Sequence, residues 1–293
     1  MRNFGRVFTA MVTPFHEDLR VNYTAAAQLA IHLAANGSDG LVIAGTTGES
    51  PTLTQEEKLK LFSTVLEAVG DRVTVVAGTG SNDTQHSIEM TREAEKLGVH
   101  GAMLVGPYYN KPNQEGYYQH FKAIAESTSL PLIVYNVPGR TGSNISPDTI
   151  VRLAAIENIV AVKEASGSLD QASEIVRRAP AGFMIYSGDD SLTLPILAVG
   201  GVGVISVASH IIGRQIQNMI AAFTAGDVRQ AQAIHGSIFP FYKLMFINSN
   251  PIPVKTAVNL LGLAAGPCRL PLTTASAGEV EQIKESMRQL GVM

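Results

Sequence analysis

The chain has 293 residues, of which 45% are apolar, enough for a sizeable core and incompatible with wholesale disorder. Only 16% are charged, and a net charge of −3 leaves no basic footprint for nucleic acid or anionic lipid. Cys268 is the one cysteine, which excludes an intrachain disulfide and a thiolate zinc cluster.

In chain order, the first apolar stretch, Val7 to Val12, is broken by Thr9 and followed by Pro14, His16, Glu17 and Asp18, too short for a signal peptide. Val7–Thr9 opens a series of short Val- and Ile-rich runs that continues at Leu41–Ala44, Val73–Ala77, Ala102–Val105, Leu132–Tyr135, Ile159–Lys163, Phe183–Tyr186 and Val202–Ser206. Each run leads into a polar, Gly-rich cluster and then a segment of helical period. Thr54–Val69 is such a segment: Leu59, Leu61, Phe62, Val65, Leu66 and Val69 share a face, Thr54 and Glu57 form a capping box, and Gly70 ends it. Asn113 and Ser146-Pro147 mark further helix starts. The most hydrophobic region, Leu194–Ala208, carries Pro195 and glycines and falls short of a bilayer span, so a soluble, cytoplasmic protein without membrane contact is expected. Beyond Val207 the pattern predicts helices at Gly213–Thr224, Asp227–Phe246, Pro253–Leu261 and Ser276–Leu290.

Strands alternating with crossover helices mean a parallel sheet, and eight units predict closure into a (β/α)8 TIM barrel, with a doubly wound open sheet as the alternative. The barrel is expected over residues 1–225, with a C-terminal helical region over 226–293. Charge-poor composition adds an expectation of self-association.

Residues leaving the C-terminal ends of parallel strands meet at one mouth of a barrel, where active sites of this fold lie. Those clusters are Gly45-Thr46-Thr47-Gly48-Glu49, Gly78–Asp83, Gly106–Asn110, Tyr135–Gly142, Lys163–Gly167 and Ser187–Asp190. Lys163 ends an apolar strand. A buried amine loses hydration and gains a neutral, nucleophilic fraction able to form a Schiff base with a carbonyl. The other reading is a lysine that snorkels to pair with Glu164. Lys255, behind Pro253, reads as a helix-face residue. Tyr135 ends the preceding strand, where its phenol could shuttle protons for the amine or serve only as a core side chain. Thr46 and Thr47 offer hydroxyls and N–H groups to a small carboxylate, and Arg140 could bind a second one or be a solvated charge. The seven histidines show no metal-binding pairing, Gly78-x-Gly80 lacks the rest of a dinucleotide fingerprint, and Gly200-Gly201-Val-Gly203 reads as a helix end. No cofactor and no metal are expected.

Gly45-Thr-Thr-Gly-Glu49, Gly106-Pro-Tyr-Tyr-Asn-Lys-Pro112, Tyr135-Asn-Val-Pro-Gly-Arg140 and Val162-Lys-Glu-Ala-Ser166 together resemble the pyruvate-dependent class I aldolases, the dihydrodipicolinate synthase and N-acetylneuraminate lyase family. The likeness runs from Gly5 to about Leu272 and is nearer the synthase branch, because Gly139-Arg140-Thr141 follows Tyr135–Pro138. It implies a homotetramer built as a dimer of dimers that condenses pyruvate with L-aspartate 4-semialdehyde. It implies an imine on Lys163, a proton relay of Tyr135, Thr46 and Tyr109 (the last from a neighbouring subunit), and Thr47 on the pyruvate carboxylate. Gly188 and Ile205 would line the pocket, and Arg140 would receive the semialdehyde carboxylate. Two alternatives stand beside this: a retro-aldol lyase on a 2-keto-3-deoxy sugar acid, and a catalytically silent keto-acid-binding paralogue. Lysine-regulated family members bind L-lysine in an inter-subunit cleft formed by the segments matching Ser50–Lys58, Asn82–His86 and Tyr108. A glutamate stands there in place of His86, and histidines in place of Gln55 and Lys58. These departures from the regulated pattern therefore imply an enzyme insensitive to L-lysine at physiological concentrations.

Overall fold

The computed structural model describes residues 4–293. Along the chain run β1 (Val7–Ala10), α1 (Tyr23–Ala35), β2 (Gly40–Ile43), α2 (Gln55–Val69), β3 (Thr74–Gly78), α3 (Thr84–Leu97), β4 (Gly101–Val105), α4 (Gln114–Ala125) and β5 (Leu132–Asn136). There follow α5 (Pro138–Thr141), α6 (Pro147–Ala154), β6 (Ile159–Glu164), α7 (Leu169–Arg178), β7 (Met184–Ser187), α8 (Thr193–Ala198) and β8 (Gly203–Ser206). Helices α9 (Ser209–Thr224), α10 (Val228–Leu244), α11 (Ile252–Leu260) and α12 (Ala277–Gln289) complete the chain. The strands close into a barrel in the order β1 to β8, and the open-sheet alternative is thereby excluded. Among the described residues no helix is long and apolar enough to cross a membrane.

Two compact units divide the fold. One comprises the described residues up to Val75 together with Ser206–Met293, and the other Val76–Ile205. In the first, β1 pairs in parallel with β2, and Thr9 on β1 shares hydroxyl hydrogen bonds with Ser38 (2.6 Å) and Ser209 (2.7 Å). His210 ties the same region together: its Nε2 accepts from the Val12 N–H at 3.1 Å, so Nδ1 carries the proton and donates to the Val207 carbonyl at 2.8 Å. Burial pushes the His210 pKa down to about 4, which keeps this neutral tautomer in place. Helix α2 starts as its sequence requires, with Thr54 Oγ1 accepting from the Glu57 N–H and the Glu57 carboxylate accepting from the Thr54 N–H. Leu61, Phe62, Val65 and Val69 are its buried face, while Leu59 and Leu66 sit at its margin. Helix α9 begins four residues before the expected Gly213, across a break at Ile212 (φ −118°, ψ 31°) that interrupts the helical pattern.

In the second unit, β4 to β7 form a continuous parallel ladder, with Tyr135 opposite Lys163 and Lys163 opposite Tyr186. Asn113 and Ser146 cap α4 and α6 through their side chains. Within the polar cluster Tyr135–Gly142, the stretch around Arg140 forms one helical turn, α5. Pro138 at its first position has φ preset for a helix, and Gly142 N–H closes the turn on the Pro138 carbonyl at 2.9 Å.

Candidate active site

Within the Val76–Ile205 unit the strand alternation decides which way Lys163 and Glu164 face. Neighbours along a strand point to opposite sides of the sheet. Glu164 is held by its own set of donors: Gln171 Nε2 at 3.0 Å, the Ser166 N–H at 2.6 Å, and Asn136 Nδ2 at 3.2 and 3.3 Å from its two oxygens. Lys163 does not snorkel to it. The amine stays inside, 5% exposed, with Nζ 4.2 Å from the centroid of the Tyr135 ring. Burial, which disfavours the charged form, pushes its pKa down from 10.5 to about 7; the buried carboxylate of Asp190 opposes this, and the Arg140 guanidinium adds to it.

Gly188 follows β7 and donates its N–H to the Glu164 carbonyl at 2.7 Å. A Cβ there would lie 2.7 Å from the Ala165 Cβ and 3.1 Å from the Lys163 Cγ, so only glycine leaves the lysine stem its room. Ile205 is buried on β8, and Arg140 is exposed on α5, close enough to bias the Lys163 amine. Thus the unit brings Lys163, Tyr135, Gly188 and Arg140 together. Asp190 carries little signal of a role in the sequence. Its only signal was an acid pair after the seventh strand, and its field on Lys163 appears once β6 and β7 are adjacent.

Tyr109 is not gathered in. It is 89% exposed, and its backbone has φ +71°, in the left-handed region that costs a non-glycine residue about 1–2 kcal/mol.

In the other unit, the turn after β2 carries Thr46, half-buried, and Thr47, buried. The turn is closed by the Glu49 N–H on the Thr46 carbonyl (3.1 Å) and by the Ser50 N–H on the Gly45 carbonyl (3.2 Å). Thr47 Oγ1 accepts from Asn250 Nδ2 at 2.9 Å, a contact across 203 positions that no local pattern announces. Lys255 lies on α11, as its position behind Pro253 predicts, on the buried face of that helix, and its amine pairs at 2.8 Å with Glu49, 206 positions away in the chain. Among the described residues no group of three or more His, Cys, Asp or Glu side chains is placed to hold a metal ion.

Lys163 thus ends the sixth strand as a buried amine beside a tyrosine from the fifth. The sequence profile of the Dihydrodipicolinate synthetase family matches residues 3–290. The chain belongs to this family. A 4-hydroxy-tetrahydrodipicolinate synthase from Moorella thermoacetica is 60% identical over 290 residues, 99% of each chain. Among solved members of the family, a dihydrodipicolinate synthase from Bacillus anthracis superposes with TM-score 0.96 at 50% identity, covering 98% of this chain and 99% of that one. The Cyanidioschyzon merolae enzyme, determined with lysine bound, gives TM-score 0.98 at 49% identity, covering 99% of each.

The proton affinity of Lys163 sets an expected pH dependence. Only the neutral amine attacks, and its fraction falls about tenfold per pH unit below the pKa near 7. Imine formation at low pyruvate concentration is therefore expected to be flat above that value and to fall with unit slope below it. Asp190→Asn removes the group that raises the pKa and is expected to move the limb to lower pH. Borohydride trapping rates across pH 5–9 measure both, with the range about two units to either side.

Proposed function

We propose that this chain is a Schiff-base-forming lyase that condenses pyruvate with L-aspartate 4-semialdehyde to 4-hydroxy-tetrahydrodipicolinate, the committed step of diaminopimelate and lysine biosynthesis. The observation that carries the reading is the buried Lys163 amine with its depressed pKa, in a chain 60% identical to a named synthase. Lys163 adds to the ketone carbon of pyruvate, and the carbinolamine loses water to an imine. Loss of a methyl proton gives the enamine, whose carbon adds to the aldehyde and makes the new carbon–carbon bond. The amino group of the semialdehyde portion then displaces Lys163 as the ring closes. The named relatives are synthases, so they lend no support to a sugar-acid lyase or a silent paralogue.

In this reading Tyr135 passes protons to and from the carbinolamine, a task supported by the 4.2 Å approach of Lys163 Nζ to its ring. Thr46 and Tyr109 complete the relay. Thr47 holds the pyruvate carboxylate, Gly188 and Ile205 line the pocket, and Arg140 takes the semialdehyde carboxylate through its planar fork. The protein acts in the cytoplasm as a homotetramer, a dimer of dimers, with residues 1–225 as the catalytic barrel and 226–293 as the helical region; residues 1–3 lie outside those described. Assembly is supported by a Tyr109 that is 89% exposed in a single chain and by a composition with only 16% charge.

Borohydride reduction in the presence of pyruvate is expected to add one pyruvate-derived mass per chain, on Lys163, and Lys163→Ala is expected to abolish turnover. An unlabelled Lys163 would remove the mechanism. Across the dimer, a Lys163→Ala chain mixed with a Tyr109→Phe chain is expected to regain activity that neither homodimer has; a mixture as inactive as its parents would refute a shared site.

The enzyme is expected to be insensitive to L-lysine at physiological concentrations. His86 replaces the glutamate that holds the ligand's α-ammonium in regulated relatives, and a lost charged hydrogen bond costs about 1.5–3 kcal/mol. The half-buried Lys58 brings a cation where the ligand carries one, a repulsion of up to about 4 kcal/mol at ~4 Å and an effective dielectric near 20. Together these lower affinity by about a hundredfold or more. Turnover is expected to be unaffected by submillimolar L-lysine in an inhibition assay.

A further inference from the structure

The chemistry above uses one buried lysine and leaves a second without a task. Lys255 is 2% exposed at its side chain and donates from Nζ to Glu49 Oε1 at 2.8 Å and to the Pro267 carbonyl at 2.7 Å, with the Phe15 ring centroid 4.2 Å away. Those contacts occupy the amine, so it is no competing nucleophile. The other carboxylate oxygen of Glu49 accepts the Arg269 N–H at 2.9 Å. Glu49 is 1% exposed at its side chain.

Taking two charges out of water is expensive, and an apolar pair of similar volume is often the more stable choice. Such a pair is therefore better explained by where it puts something than by how much it stabilises. What Glu49 puts in place is the turn that carries Thr46 and Thr47. Its own backbone is left-handed, φ +56°, a strained conformation that the surroundings must enforce. Its N–H closes on the Thr46 carbonyl, and its carbonyl accepts the Thr52 hydroxyl at 3.0 Å. Thr13 Oγ1 holds the intervening Gly48 carbonyl at 2.6 Å. Asn250, two residues ahead of α11, donates to the Thr47 hydroxyl oxygen. A hydroxyl that accepts from an amide keeps its own hydrogen to donate elsewhere, which suits it to an anion.

We propose that Glu49 and Lys255 are positioning residues for the substrate-carboxylate end of the site, with Asn250 orienting the Thr47 hydroxyl toward that carboxylate. This rests on the reading that Thr47 holds pyruvate. The segment ahead of Arg269 seals the clamp: a Cβ on Gly266 would collide with the Phe15 carbonyl, and the Phe15 N–H donates to the Ala265 carbonyl at 3.0 Å.

Removing the pair in two steps tests the proposal. Lys255→Met alone leaves the Glu49 carboxylate buried without its amine and is expected to lower Tm sharply. The double variant Glu49→Gln/Lys255→Met carries no buried charge and is expected to regain most of the lost Tm while KM for pyruvate stays raised by about tenfold, the scale of one lost hydrogen bond. KM for the semialdehyde is expected to be unchanged. Asn250→Ala, which removes no charge, is expected to raise the pyruvate KM similarly at wild-type Tm, and it decides the matter if the double variant does not fold. A folded double variant or an Asn250→Ala enzyme with wild-type pyruvate KM would overturn the proposal. Borohydride trapping in the wild-type enzyme separates the two layers. No label on Lys163 defeats the functional reading, whereas a normal label with unaltered half-saturation in the variants defeats only the positioning role. A label on Lys255 would overturn it too.

Discussion

Water withheld from one amine sets the terms for the rest of the fold. Lys163 must be buried deeply enough to lose its proton near neutrality, yet not so tightly bonded that its lone pair is taken. The barrel meets both conditions by ending β6 with the lysine facing away from the carboxylate next to it in sequence. Aromatic surface from Tyr135 fills the near side, and the charges of Asp190 and Arg140 trim the proton affinity in opposite directions. Lys255 shows the contrast. It is buried as well, but a carboxylate and a carbonyl at hydrogen-bond distance hold its amine. Two lysines of similar burial thus differ in their surroundings, since among the described residues only Lys255 has a carboxylate and a carbonyl within 3 Å of Nζ.

The supporting structure follows from the same requirement. Glu164 is occupied by donors from Asn136, Ser166 and Gln171, so it makes no claim on the neighbouring amine. Asn136 in turn accepts the Ile145 N–H at 3.0 Å and donates to Asn144 at 2.8 Å, which links β5 and β6 to the far end of the segment bearing Arg140. Gly188 leaves space beside the lysine stem that any side chain would fill.

Much of this was legible in the sequence because the deciding signals are local. Eight Val- and Ile-rich runs mark eight strands, and Lys163 stands out because an apolar strand ending in an amine needs no distant partner to be noticed. Thr54 and Glu57 declare a helix start within four residues. Other parts were not legible, for physical reasons that differ. Nothing in the sequence pairs Glu49, in a strand-end cluster, with Lys255, on a helix 206 positions on, and Asn250 carries no mark of its contact with Thr47. Pro138 signalled a turn without saying that the turn would be helical. Tyr109 is exposed in the single chain, and no local pattern marks that exposure.

The Glu49–Lys255 pair has an evolutionary consequence. A carboxylate fixed in the second βα turn and an amine supplied after the eighth strand cannot be exchanged one at a time, since either intermediate strands a bare charge in the interior. Substitution at either position alone is therefore costly, and positions 49 and 255 are expected to change together. The helices beyond β8 are accordingly no detachable ornament. Grafting them from a distant relative, or trimming them away to shorten the protein, would break a turn more than two hundred residues upstream.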